Sequence, residues 1–198
     1  MKIVLLALCL LFPLSAVAAG PGYTYGQGSV AHVDVDGVDN DTSFQLAAGL
    51  RVGSQLYVYG DYTRASLDTR LPGFPGDFLV ADTTEIANLG MGYRMAISPV
   101  TDLNFEAGWI GSSGLLEPEP DSQSNDGVRV GMGVRSSVAP FVELGARAGY
   151  THQGPTGDDY FVSGNVLLKM FGPAAINLEA LSYAGDVNVF SAGLRIGF

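Results

Sequence analysis

The sequence predicts an all-β fold: an antiparallel up-and-down transmembrane β-barrel of ten strands, with eight strands as the alternative. Three observations point there. Beyond residue 20 the apolar residues recur with period two rather than 3.6, the mark of strands with two unlike faces. Most alternating segments are about ten residues long, which is what a tilted strand needs to cross a bilayer. The connections alternate short and long, as when turns lie on one side of a membrane and loops on the other.

Taken from the start, residues 1–19 read as a signal peptide rather than as part of the fold. Lys2 supplies the positive start, residues 3–14 the apolar stretch, and Ala16-Val17-Ala18 an A-x-A cleavage site. Cleavage after Ala18 or Ala19 leaves a barrel domain over 20–198, removes Cys9, and with it any disulfide or thiol chemistry.

The first strand, about 23–33, is extended, but Gln27 and Ser29 break either assignment of its faces. The second, 43–52, sets Phe44, Leu46, Ala48, Leu50 and Val52 against Ser43, Gln45, Ala47, Gly49 and Arg51. Weaker alternation covers 55–64 and 84–95. The fifth strand, 102–110, places Leu103, Phe105, Ala107 and Trp109 against Asn104, Glu106 and Gly108. In the sixth, 127–137, Val128, Val130, Met132 and Val134 oppose Arg129, Gly131, Gly133 and Arg135. Segments 142–150, 160–169, 174–183 and 188–198 complete the set. Short turns fall at Gly53-Ser54, 98–101, Ala139-Pro140 and Gly172-Pro173, and long polar loops at about 34–42, 66–83, 113–126, 152–158 and 184–187. Beyond residue 20 every proline sits in a turn, in a loop or before the first strand, where it breaks no ladder hydrogen bond.

An alternating β-chain can bury its apolar face as a core or turn it toward lipid. Composition favours lipid. Of 198 residues only Lys2 and Lys169 are lysines, whereas soluble β-proteins spend lysines on their faces and edges. The polar faces consist of Gly, Ser, Asn and isolated charges, as a crowded lumen requires. Apolar-face aromatics gather near strand ends: Phe44, Tyr62, Trp109, Tyr150, Tyr160 and Phe190 at one rim, Tyr93 and Phe198 at the other. Such girdles mark the two interfaces of a membrane barrel. A net charge of −10 argues against nucleic acid as a partner, and 15% charged against 47% apolar residues argues against disorder.

The final run Phe190, Ala192, Leu194, Ile196, Phe198 resembles the C-terminal assembly signal of Gram-negative outer-membrane barrels, with Phe190, Leu194, Ile196 and Phe198 carrying it. The whole chain after the signal is similar to the small OmpA-transmembrane and OmpX-like class, and the stretch 89–109 looks like its strand–turn–strand. That resemblance implies location in the bacterial outer membrane, with lipid, lipopolysaccharide and the outer-membrane assembly machinery as partners, and a monomeric state.

A short repeat marks the descending strands: Gly49-Leu50-Arg51, Gly92-Tyr93-Arg94, Gly133-Val134-Arg135 and Gly193-Leu194-Arg195, with Lys169 ending the remaining one. Each basic residue lies on the polar face at one depth. Ascending strands carry inward Asp61, Glu106, Glu143 and Glu179, and Arg129 and Arg147 share that face. Charges this close in a low-dielectric lumen must pair. The expectation is a salt-bridge network of these eleven residues that plugs the barrel, with a small passive channel or proton relay as the alternative.

The long loops and their rims are acidic. Asp34, Asp36, Asp39 and Asp41 form a weak candidate for a Ca²⁺ site, though their spacing is not the EF-hand's; no metal or other cofactor is otherwise expected. The two exposed aromatics Phe74 and Phe78 make 66–83 the candidate contact for an unidentified extracellular ligand. An enzyme is not expected. A barrel lipid A deacylase needs His-x-Ser, but His152 is followed by Gln153 and Gly154. His152 with Asp158 or Asp159 only weakly mimics an omptin-like dyad. The Gly90-Met91-Gly92 and Gly131-Met132-Gly133 patterns lie inside strands with no helix to offer phosphate its N-terminus. Their expected role is packing. The function expected is envelope integrity or surface recognition.

Overall fold

The computed structural model describes residues 21–35, 41–70, 79–113, 125–153, 157–184 and 187–198. Ten antiparallel strands form one closed barrel: β1 Tyr25–Val35, β2 Asp41–Val52, β3 Leu56–Arg70, β4 Leu79–Ser98, β5 Thr101–Ser113, β6 Asn125–Ala139, β7 Val142–Gln153, β8 Gly157–Lys169, β9 Ala174–Tyr183 and β10 Val187–Gly197. Each strand pairs with its sequence neighbours, and β1 pairs with β10 from Tyr25↔Gly197 to Val35↔Val187, so the sheet has no free edge. The expected eight-strand alternative is excluded.

Period-two alternation makes this wall two-faced, and exposure shows which way it faces. Large apolar side chains stand on the outside: Leu89 is 65% exposed and Tyr160 70%. Glu143 and Asn177, by contrast, are fully buried at 0%. A soluble sandwich would reverse that order, so the outer wall is built for lipid. The girdle aromatics Phe44, Trp109, Tyr160 and Phe190 all project outward, as does Tyr93 toward the opposite end. Phe141 and Phe171, in two of the short turns, add exposed aromatics there that alternation could not reveal.

The strands run further than periodicity alone indicates. Most of the expected loop 66–83 is strand, for β3 and β4 stay paired from Ser66↔Thr83 to Arg70↔Leu79. Backbone ladder bonds need no apolar face, so a hairpin can continue into water on polar residues. At about 3.3 Å per residue, the 20-residue β4 is longer than even a tilted crossing needs. The short turns are tight: Gly53 and Gly172 adopt positive φ of 80° and 69°, a conformation glycine takes without a Cβ clash. Register shifts at Ala96/Ser98 and Ser137/Ala139 re-aim the backbone beside two of these turns.

Candidate functional site: the polar lumen

Because β-strand side chains alternate, every second residue of all ten strands enters one narrow space. Near the short-turn mouth, Arg94 Nη2 lies 3.1 Å from Asp102 Oδ1. Arg135 Nε donates to Glu143 Oε1 at 2.8 Å, and Lys169 Nζ sits 3.5 Å from the other oxygen of Glu143. Arg195 Nε donates to Gln27 Oε1 at 2.8 Å, and its guanidinium lies 4.1 Å from the Tyr25 ring. Two cations thus share Glu143, which would cost several kcal/mol if left buried and unpaired.

Above this layer runs a belt across alternate strands. The Tyr57 hydroxyl donates to Glu106 Oε1 at 2.7 Å, and Asn104 Nδ2 reaches both, at 3.2 and 3.3 Å. Arg147 places Nη1 3.6 Å from Glu106 Oε2 and donates through Nη2 to Glu179 Oε1 at 2.7 Å. One guanidinium therefore joins β5 to β9, and Tyr57 extends the chain of contacts to β3. Nearer the long-loop mouth, Asn88 Nδ2 donates to Asp61 Oδ1 at 2.7 Å. There Arg129 stacks 4.0 Å from the Phe161 ring centroid, a cation–π contact rather than an ion pair.

Ten of the eleven residues singled out by alternation thus face the lumen. Six of them form two separate charge-paired triads, Arg135–Glu143–Lys169 and Glu106–Arg147–Glu179, and Arg94 pairs with Asp102. Arg51 corrects the expectation. It is exposed, donating through Nε and Nη2 to the carbonyls of Gly53 and Ser54 at 2.9 and 3.0 Å. At the lip, turn carbonyls and water satisfy a guanidinium that burial would have to neutralise. Asp102 escaped the sequence reading, although it shares its parity with Asn104 and Glu106. Tyr23 escaped it as well, because it was read as the start of a first strand whose faces were open, whereas β1 begins only at Tyr25.

The histidines are elsewhere. His32 projects from the outer wall, exposed beside Phe190 of the paired strand. His152 Nδ1 lies 2.5 Å from Asp158 Oδ1, its cross-strand partner, with both side chains more than half exposed on the outer wall. Asp158, not Asp159, is the partner. Alternation turns Asp159 to the opposite face.

Asp34 is exposed, and Asp41 pairs with Val33 through the backbone, while Asp36 and Asp39 lie outside the described residues. Among the described residues no group of three His, Cys, Asp or Glu is placed to hold a metal. Phe74, Phe78 and the expected signal peptide 1–19 also lie outside the described residues. Phe190, Leu194 and Ile196 form the outer face of β10, and the Phe198 amide donates to the Thr24 carbonyl at 3.1 Å.

A closed antiparallel barrel with an apolar outer wall and an ionic interior is a transmembrane β-barrel. The chain belongs to the outer membrane protein beta-barrel domain family, whose sequence model matches residues 4–172. It is a bacterial outer-membrane protein. No curated protein matches the chain. Among solved structures it is similar to the β domain of the Bordetella autotransporter BrkA, at 13% identity over 89% of this chain and 99% of that one, TM-score 0.55. The NanC porin shares 6% identity over 86% and 100%, TM-score 0.52. Neisserial surface protein A shares 20% identity over 88% and 96%, TM-score 0.40. At such identities the likeness is one of fold.

Proposed function

We propose that the barrel is sealed and non-enzymatic, serving envelope integrity or surface recognition through its acidic outer loops rather than passage of solutes. The observation that carries this reading is Arg147 held between Glu106 and Glu179, with Tyr57 bound to Glu106 in turn. These contacts cross the lumen between alternate strands. In a water-poor interior the guanidinium is required, because removing Arg147 would strand two carboxylates. Against catalysis, both histidines stand on the outer wall, and among the described residues the outward cross-strand neighbours of the His152–Asp158 pair are Val128 and the Tyr150–Tyr160 ring pair, none of them an activated nucleophile. Lipid, lipopolysaccharide and the assembly machinery are the partners this location supplies. The extracellular ligand would be met by the loops.

Planar-bilayer recording of the purified protein tests the sealed state. Absence of steady openings is expected, and long-lived unitary currents would replace this reading by that of a small channel. Unchanged lipid A and intact peptide substrates after prolonged incubation are expected in parallel, and turnover of either would overturn the non-enzymatic part.

A further inference from the structure

The residues just before β1 do not lie beneath the wall; they turn into the lumen. Tyr23 is 3% exposed. Its ring packs 4.5 Å from the Tyr57 ring on β3, with the guanidinium of Arg135 on β6 4.5 Å from its centroid and that of Arg94 on β4 at 5.5 Å. The Gly22 carbonyl accepts from Arg135 Nη2 at 3.0 Å. In a ten-strand ring β6 stands opposite β1, so this short segment spans the mouth. It is pinned behind by Thr24, whose Oγ1 accepts from the Arg51 amide at 3.1 Å and whose carbonyl accepts from the Phe198 amide.

The Tyr23 hydroxyl is buried with no hydrogen-bond partner among the described residues, so it is the ring, not the hydroxyl, that holds this place. A flat ring between two guanidiniums is well held by its π faces and by displaced water. One residue, Thr24, separates it from the strand ladder, which begins at Tyr25.

We infer that Gly22–Thr24 form a second closure of the lumen at the short-turn mouth, with Tyr23 as the stopper, separable from the Glu106–Arg147–Glu179 belt. Conduction then requires both to be gone. The path so opened is anion-selective, since Arg94, Arg129, Arg135, Lys169 and Arg195 outnumber Asp61, Asp102 and Glu143 along it. The inference rests on the sealed-barrel reading.

The test is a two-by-two comparison in planar bilayers, each protein first shown to be folded by heat-modifiable gel mobility. One arm carries Tyr23→Ala. The other carries Glu106→Ala, Arg147→Ala and Glu179→Ala together, which removes the belt without leaving a lone charge. Steady openings are expected only in the combination, at least tenfold above either arm, with chloride preferred over potassium. Tyr23→Phe in the belt-less background is expected to stay as closed as the tyrosine. A belt-less barrel that conducts as well as the combination, or a folded combination that stays silent, would overturn the inference.

An independent arm uses a Cys9→Ser chain carrying Asn104→Cys, a lumen position 1% exposed beside Tyr57, whose labelling by a membrane-impermeant maleimide should be at least tenfold slower with Tyr23 in place than with Tyr23→Ala. Equal rates would also overturn it. Slow labelling combined with a conducting wild type would instead discard the sealed reading and leave the seated segment in place.

Discussion

Tyr57 on β3 lies directly opposite Gly92 on β4, and its ring occupies the volume that a Cβ at position 92 would need. The same relation joins Tyr59 to Gly90, where a Cβ would come 2.6 Å from the ring Cζ, and Tyr25 to Gly49, again at 2.6 Å from a ring carbon. Phe161 lies against Gly149 in the same way. Each of these four inward aromatics leans across the ladder onto a glycine, which makes room for the ring in the lumen.

Adding one methyl at this contact tests its weight. Gly92→Ala should destabilise the barrel by about 1–3 kcal/mol, the usual penalty for overpacking. Gly26→Ala, where nothing lies within 4 Å, should change stability by no more than about 0.5 kcal/mol. Urea unfolding in detergent, followed by tyrosine fluorescence and gel mobility, compares the two.

Glu143 serves both Arg135 and Lys169 while wholly buried. Glu143→Gln should cost about 3 kcal/mol, the lower end for breaking a buried ion pair, because Lys169 can swing toward water. Arg51→Ala should leave the unfolding midpoint nearly unchanged, since that guanidinium is exposed at the lip. A comparable loss from both variants would contradict the separation of Arg51 from the lumen.

Met91 is 58% exposed on the outer wall at mid-strand. Met91→Arg should therefore cost about 2–4 kcal/mol in a bilayer, as expected for a cation near the membrane midplane. On the same strand the lumen-facing Arg94 is paired with Asp102, so the cost is specific to the outer face. Folding equilibria in lipid vesicles measure it, and a neutral result would mean that Met91 does not face lipid.

The β3–β4 ladder ends at Arg70↔Leu79. Replacing 71–78 by Asn-Gly therefore closes a two-residue hairpin onto a pair already in register, a connection with the twist antiparallel strands favour. Heat-modifiable folding should survive, while any surface-binding phenotype should weaken if Phe74 and Phe78 make the contact. Loss of folding would show that the segment supports the barrel itself.

Much of the molecule is legible from alternation. Side-chain parity in a strand is local, so Arg94, Glu106, Arg135, Glu143, Arg147 and Glu179 could be assigned to the lumen without knowing which strands are neighbours. Arg51 has the same parity, yet it leaves the set because it stands at the lip beside a turn with free carbonyls. His152 and Asp158 lie six residues apart, but they meet only because the β7–β8 register makes them partners.

The glycines make the same point. Their packing role was readable, but beside each glycine in sequence stood an outward aromatic, Tyr93 after Gly92 and Tyr150 after Gly149. The ring each one accommodates comes from the next strand.

By itself, then, the sequence determined the all-β class, a barrel of ten crossings or eight, which face meets lipid on most strands and most of the residues that enter the lumen. All of these follow from period two, chain length and charge. Only the tertiary structure decided that Arg147 meets Glu106 and Glu179, that Asp102 answers Arg94, that Tyr57 rests on Gly92, and that Tyr23 folds back inside. Those relations depend on the height at which side chains from strands two or more apart arrive in a closed ring. Strand register and barrel closure set that height, and no local periodicity encodes either one.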